Sequence, residues 1–231
     1  MIANGHPIVR WPFCFCRQSG IPMPPFKTSC RQCPRLASFL DTVKAENPDY
    51  FAKPVPPYGP ADAQLMIVGL APGMHGANRT GRPFTGDYAG VLLYQTLFDF
   101  GFANKPESIA LGDGFELINC RITNAVKCLP PQNKPIGSEI NQCNTYLTDE
   151  IASMPAGSVV VALGSIAHNA VLKALGQKQG FAKFAHNVAH RLPNGMTLID
   201  SYHCSRYNTQ TKRLTEKMFR DVFHHAKQIL G

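Results

Sequence analysis

Three side chains stand at or near the ends of apolar runs, where a folded chain could bring them together: Asp87, Asn124 and His203. Asp87 closes GLAPGMHGANRTGRPFTGD (69–87), a loop too long and too glycine-rich for a simple strand–helix turn. Gly69, Gly73, Gly76, Gly81 and Gly86 let its backbone approach a ligand closely. It is not a phosphate-binding P-loop, because the closing glycine–lysine–serine/threonine is missing, and it is not a dinucleotide fingerprint. Within it Phe84 offers a flat face for stacking on a ring. Asn124 carries a donor and an acceptor on one amide, which matches the edge of a pyrimidine. His203 is followed by CSRYNTQTKRLT, a loop rich in polar and basic residues. Three of the four have an ordinary alternative: core packing for Phe84, a helix N-cap for Asp87, a buried hydrogen-bonded imidazole for His203.

A second constellation is made of sulfur. Cys30 and Cys33 form C-x2-C, and Cys128 and Cys143 form C-x14-C. Four thiolates suit zinc or a 4Fe–4S cluster. Zinc sites more often use two tight knuckles, so the wide second spacing tilts toward the cluster, with scattered core cysteines as the alternative. Cys120 reads as such a core residue, inside an apolar run. Cys14 and Cys16 form C-x-C without a second pair, and Cys204 falls in the loop after His203. A disulfide framework does not fit a chain expected in the reducing cytoplasm.

The elements that must position these groups are legible as periodicity. Apolar runs at 64–68, 117–126, 158–164 and 196–203 read as buried strands. Helical spacing marks 35–46, 90–101, 138–154, 165–175 and the tail from Thr215 to Leu230. Five prolines in 47–62 predict an extended connector. Apolar strands alternating with helices predict an α/β fold, a parallel sheet covered on both faces, with ligands at the carboxyl ends of its strands. Residues 1–29 read as an irregular leader and 30–231 as a single domain. No apolar run approaches the ~20 residues of a membrane helix, and the amino end lacks a signal-peptide pattern, so a cytoplasmic location is expected. The net charge of +8 fits a polyanionic partner.

Taken together, the motifs make the chain resemble the family 5 (UDGb-type) uracil-DNA glycosylases. The resemblance rests on GLAPG…HGANRTGRPFTGD (69–87), TNAVKC (123–128), YHCSRYNT with KRLT (202–215), CRQCPRL (30–36) and C-x14-C. Two features modify it. The apolar Leu70–Ala71 pair stands where the wider superfamily usually has a polar residue. Cys204 replaces the proline that stiffens the loop after the histidine.

The resemblance implies a three-layer α/β/α sandwich around a four-stranded parallel sheet, and a 4Fe–4S cluster on Cys30, Cys33, Cys128 and Cys143. It implies hydrolysis of the bond between a flipped-out base and its sugar. Phe84 would stack on the base, and Asn124 would read its edge. Backbone amides around Gly69, Ala71 and Gly73 would hold its carbonyl groups. His203 would stabilise charge on the leaving base, and Asp87 would direct water. Arg79, Arg82, Arg206, Lys212 and Arg213 would grip phosphates, with Arg206 and Tyr207 placed to wedge into the vacated stack. Uracil is the expected base, with deaminated purines such as hypoxanthine and xanthine admitted by the apolar Leu70–Ala71 pair. No motif lysine is available for Schiff-base chemistry apart from Lys127, so a monofunctional enzyme is expected. The partner would be double-stranded DNA, with single-stranded DNA as a further candidate, bound by a monomer associated with the nucleoid. The competing readings are a narrow family 4 uracil-DNA glycosylase and a non-catalytic zinc module that binds nucleic acid.

Overall fold

A computed structural model describes residues 26–231. Almost all of the expected leader, with Cys14 and Cys16, lies outside the described residues. The strands are β1 (Leu65–Gly69), β2 (Cys120–Asn124), β3 (Val159–Leu163), β4 (Ala189–Arg191) and β5 (Thr197–Ser201). They form one sheet in the order β2-β1-β3-β5-β4. The four strands foreseen from the apolar runs are mutually parallel, and β4 adds a fifth, antiparallel to β5. The four-strand expectation is corrected accordingly. β4 has no apolar run to betray it, because Ala-His-Arg is a short, incompletely buried edge held by its ladder to β5.

β1, β3 and β5 are buried at every position; β1 and β3 therefore read as unbroken apolar runs rather than alternating ones, while β5 buries Thr197, Asp200 and Ser201 beside Leu198 and Ile199. Leu65 and Ile67 face one layer, with Leu93 and Leu97 of α3 (Tyr88–Asp99) and Phe219 and Phe223 of α7 (Glu216–Leu230). Met66 and Val68 face the other, with Leu147 and Ile151 of α4 (Gly137–Ala152) and Val171 of α5 (Ser165–Ala174). Each such side chain contributes about 1.5–3 kcal/mol by leaving water. The α7 stripe Phe219, Val222, Phe223 and Ala226 follows helical spacing, and the Thr215 hydroxyl caps its start by accepting from the Met218 amide at 3.2 Å.

A third apolar cluster lies beside this sandwich. Leu36, Leu40 and Val43 of α1 (Pro34–Glu46) pack there with Val126, Cys128, Leu129, Cys143 and Tyr146. Pro34 opens α1, where its missing N–H costs nothing, so Cys33 sits at the N-cap. Two short helices, α2 (Ala77–Thr80) and α6 (Arg206–Gln210), lie in the loops after β1 and β5. Among the described residues, no helix is long and apolar enough to cross a membrane.

Candidate active site

Gly69 and Asn124 are partners in the β1–β2 ladder. The two chains stay bonded as they leave the sheet, the Ala125 amide donating to Gly69 O at 2.9 Å and the Val126 amide to Leu70 O at 3.0 Å. The carboxyl ends of neighbouring strands therefore deliver Asn124 and the glycine loop to one place. A methyl group on Gly69 would strike Asn124 Oδ1 and come within 2.7 Å of Phe84 Cζ. The absent side chain is what lets the ring and the amide meet over β1.

Phe84 is buried and sits at φ 61°, in the left-handed region that phenylalanine seldom adopts. Strain of this kind persists where surrounding contacts over-determine it. Here Tyr94 Oη donates to Pro83 O, and Thr85 Oγ1 lies 2.7 Å from Ser108 Oγ. Gly90 lets α3 pass directly against Phe84 O, where a side chain would collide. Arg82 completes the brace. It is 3% exposed, donates to Ser108 Oγ at 2.6 Å and Asp113 Oδ1 at 2.9 Å, and lies 4.6 Å from the Tyr58 ring centroid. The expectation that Arg82 grips phosphate is thereby overturned. Its charge is spent inside the protein, tying the stacking loop to 108–113.

The imidazole of His203 stacks against Phe84, with centroids 6.1 Å apart and planes 27° from parallel. Burial pushes its pKa down to about 4, so the ring is neutral at physiological pH. Nδ1 is buried and makes no hydrogen bond. The backbone holding it is fixed, since Asn208 Nδ2 donates to His203 O at 2.8 Å. Cys204, in the proline's place, is fully buried in the core cluster with Sγ 3.5 Å from Ala89 O. The loop is anchored by packing where the proline would have stiffened it.

Asp87 occupies the N-cap position of α3 but does not cap that helix. Its carboxylate turns back over Gly73 and Gly76, where any side chain would collide with it. Oδ2 accepts from the Ala77 amide at 3.1 Å. Burial raises its pKa, opposed by the Ala77 and Gly73 amides and the charges of Arg79 and His75. The site thus unites an aromatic ring, an amide, a neutral imidazole and a carboxylate whose pKa burial raises. Ala71 and Gly73 are partly exposed in the same loop. Arg79, Arg206, Tyr207, Lys212 and Arg213 are all exposed on the neighbouring loops. Of these, Arg206 lies over the Tyr88 ring at 4.9 Å and Arg213 over Tyr202 at 4.9 Å.

The four cysteines Cys30, Cys33, Cys128 and Cys143 line one pocket, closed by Phe26 and Tyr146. The Lys127 amide donates to Cys143 Sγ at 3.3 Å, and Tyr146 Oη lies 3.5 Å from Cys30 Sγ. Burial pushes the Cys143 thiol up to about 11 and that of Cys128 further, each raised also by neighbouring cysteines. Crowded, buried thiols of this kind need a bound cation before they ionise together. Tetrahedral zinc at 2.3 Å would hold its sulfurs about 3.8 Å apart. Among the described residues, no three of these thiols lie within 4.8 Å of one another.

Sequence reasoning singled out Lys127 but not its partners: it is 1% exposed, its ammonium bonded to Thr123 Oγ1 and 2.7 Å from Glu150 Oε1. Gly90 and Tyr88 also went unremarked, because nothing in a local pattern says which loop will pass beside a helix start. A buried network lies further along the sheet. His168 Nδ1 is 2.7 Å and His190 Nε2 3.1 Å from the carboxylate of Asp200 on β5.

The family model described as the Uracil DNA glycosylase superfamily matches residues 56–227. The chain is 44% identical to a type-5 uracil-DNA glycosylase of Thermus thermophilus, over 88% of this chain and 95% of that protein. It is 43% identical to a type-5 uracil-DNA glycosylase of Pyrobaculum aerophilum, over 88% and 90% respectively. A type-4 uracil-DNA glycosylase of the same organism is 35% identical over 56% of this chain and 58% of its own length. With a family match spanning the sheet, the helices from α2 to α6 and every loop that bears a site residue from 69 to 203, the chain belongs to the uracil-DNA glycosylase superfamily, on the side of its type-5 members.

Proposed function

We propose that this protein is a DNA-repair enzyme that hydrolyses the N-glycosidic bond of uracil in DNA and leaves an abasic site. The observation that carries the reading is the convergence of Phe84, Asn124, His203 and Asp87 at the carboxyl ends of adjoining strands.

The glycosidic bond is sheltered inside a base stack, so the nucleotide must swing out. Phe84 covers one face of the extruded ring, and the Asn124 amide pairs with its edge. Backbone amides around Gly69, Ala71 and Gly73 meet its carbonyl groups. As the bond between the sugar carbon and the ring nitrogen breaks, the electron pair moves onto the base. His203 donates a hydrogen bond to the carbonyl oxygen where this charge collects. A neutral imidazole keeps its proton while stabilising the anion, and such a donor contributes a few kcal/mol, about 2.7–4. Asp87 faces the sugar carbon, orients a water and accepts its proton as the new carbon–oxygen bond forms. A raised pKa makes the ionised carboxylate a better base.

Leu70 and Ala71 put no polar side chain beside the base. Recognition through the backbone discriminates weakly, so hypoxanthine and xanthine are further substrates in this reading. Lys127 is buried against Thr123 and Glu150, which supports hydrolysis without a Schiff base.

Cys30, Cys33, Cys128 and Cys143 would hold a 4Fe–4S cluster, whose larger core suits four thiols around one pocket of which no three come within 4.8 Å of one another. When bound, the cluster supplies four iron–thiolate bonds that cross-link the segment before α1 to the β2 loop and α4. Exposed Arg79, Arg206, Lys212 and Arg213 suit the phosphates of double-stranded or single-stranded DNA. The protein works as a monomer in the cytoplasm, at the nucleoid.

The test is incubation with duplexes carrying uracil, hypoxanthine or xanthine, followed by alkaline cleavage. Strand breaks at uracil support the reading, and their absence from every substrate sinks it.

A further inference from the structure

Tyr88 is the first residue of α3, directly after Asp87, and Arg206 is the first residue of α6, three residues after His203. Their side chains meet across the gap between the two loops. The Arg206 guanidinium lies 4.9 Å from the Tyr88 ring centroid, and Thr209 Oγ1 approaches Tyr88 Oη at 3.5 Å. Tyr88 is nevertheless 45% exposed, and the neighbouring rim carries Tyr207 at 71% and Val91, one turn along α3, at 72%. A guanidinium on an aromatic face keeps its N–H edge free for an anion. The arrangement is a flat apolar step with a positive edge, built where the chain leaves both Asp87 and His203.

We propose that Tyr88, held in place by Arg206, is a stacking step for the base that adjoins the extruded nucleotide. This rests on the glycosylase reading and adds a residue to it. Flipping one nucleotide deprives its neighbour of a stacking partner, and an aromatic ring replaces that partner without regard to base identity. Because the ring is already ordered by Arg206 and Thr209, little rotamer freedom remains to be lost on binding. Arg206 meanwhile reaches the phosphate of the same nucleotide. Tyr88 touches neither the reacting base nor the sugar carbon, so it is a positioning residue for the substrate strand.

The experiment uses the full chain with a duplex carrying a tetrahydrofuran abasic analogue flanked by 2-aminopurine, alongside a uracil duplex. Wild type should change the 2-aminopurine emission on binding. Tyr88→Ala should lose most of that change and raise KM for the uracil duplex about tenfold, the loss of one base–aromatic stack, with kcat within about twofold. Tyr88→Phe keeps the ring and loses the hydroxyl, and should restore both readouts. Tyr88→Ala with wild-type emission and KM would overturn the proposal. So would Tyr88→Phe failing like the alanine variant with a lowered Tm, which would make the pair a mere latch between helices. Wild type that binds the abasic duplex yet excises no uracil would instead refute the glycosylase reading, and the emission comparison would still decide the fate of the step.

Discussion

The ladder pair Gly69–Asn124 brings the Phe84 ring up to the Asn124 amide: a β-carbon at Gly69 would collide with Asn124 Oδ1 and crowd Phe84 Cζ at 2.7 Å. Gly69→Ala should therefore cost about 1–3 kcal/mol of stability through overpacking. Uracil excision should fall further than stability alone predicts, because both base contacts are displaced together. Thermal unfolding and single-turnover excision, measured side by side, check this. A variant as active as wild type would show that the pocket is not built around this glycine.

Asp87→Asn and His203→Ala should each lower kcat by about 10²–10³-fold while leaving affinity for an abasic-analogue duplex largely intact. The pH profile separates them. Burial raises the Asp87 pKa, so wild-type activity should fade on acidification as that carboxylate protonates. The low residual rate of Asp87→Asn should lack this acid limb. A limb of unchanged shape in Asp87→Asn would assign it to another group.

Arg82 and its exposed neighbours should behave oppositely. Arg82→Ala leaves Asp113 without its buried partner, a loss of about 3–5 kcal/mol, and should lower Tm without changing how DNA affinity depends on salt. Arg213→Ala and Lys212→Ala should do the reverse, each shallowing the salt slope by about one counterion. Binding isotherms at several ionic strengths decide between the two outcomes.

Two histidines should leave opposite marks on stability against pH. His168 has its pKa raised by Asp200. Its contribution is complete below the unfolded value of about 6.5 and is lost as pH rises through the folded value. His203 has its pKa lowered to about 4, so the unfolded chain binds the proton first. Stability should therefore fall as pH drops from about 6.5 toward the folded value. His168→Gln should flatten the alkaline side of a Tm–pH curve and His203→Asn the acidic side. Identical curves for all three proteins would exclude both roles.

Replacing Cys30 or Cys128 by serine should remove most of the iron and the visible absorption of the purified protein. Heat resistance should fall even where uracil excision persists. Iron content equal to that of wild type in both variants would dissociate these cysteines from any cluster.

How far the sequence could be read depended on the range of the interaction. β1 and β3 announced themselves because burial on both faces leaves an unbroken apolar run, and β5 through Met196, Leu198 and Ile199 at its start. β4 did not, because its identity as a strand lies in pairing with β5. The same division holds at the site. Asp87, Asn124 and His203 stood out by their place at strand and loop ends, and Phe84 by its glycine-rich setting. Arg82 misled, since an arginine in a loop looks solvated until Asp113, 31 residues later, takes up its charge. His168 and Asp200 were passed over for the same reason, being a helix residue and a strand residue with no motif between them.

The spacing of the four cysteines also bears on when the molecule can be completed. Cys30 and Cys33 leave the ribosome early, whereas Cys143 follows only after more than half of the 231-residue chain has been made. Any cofactor that needs all four thiolates must wait for β1, β2 and the start of α4. Until then the early pair would stand without its two partners, so a cofactor held by all four would enter only late in the making of the chain.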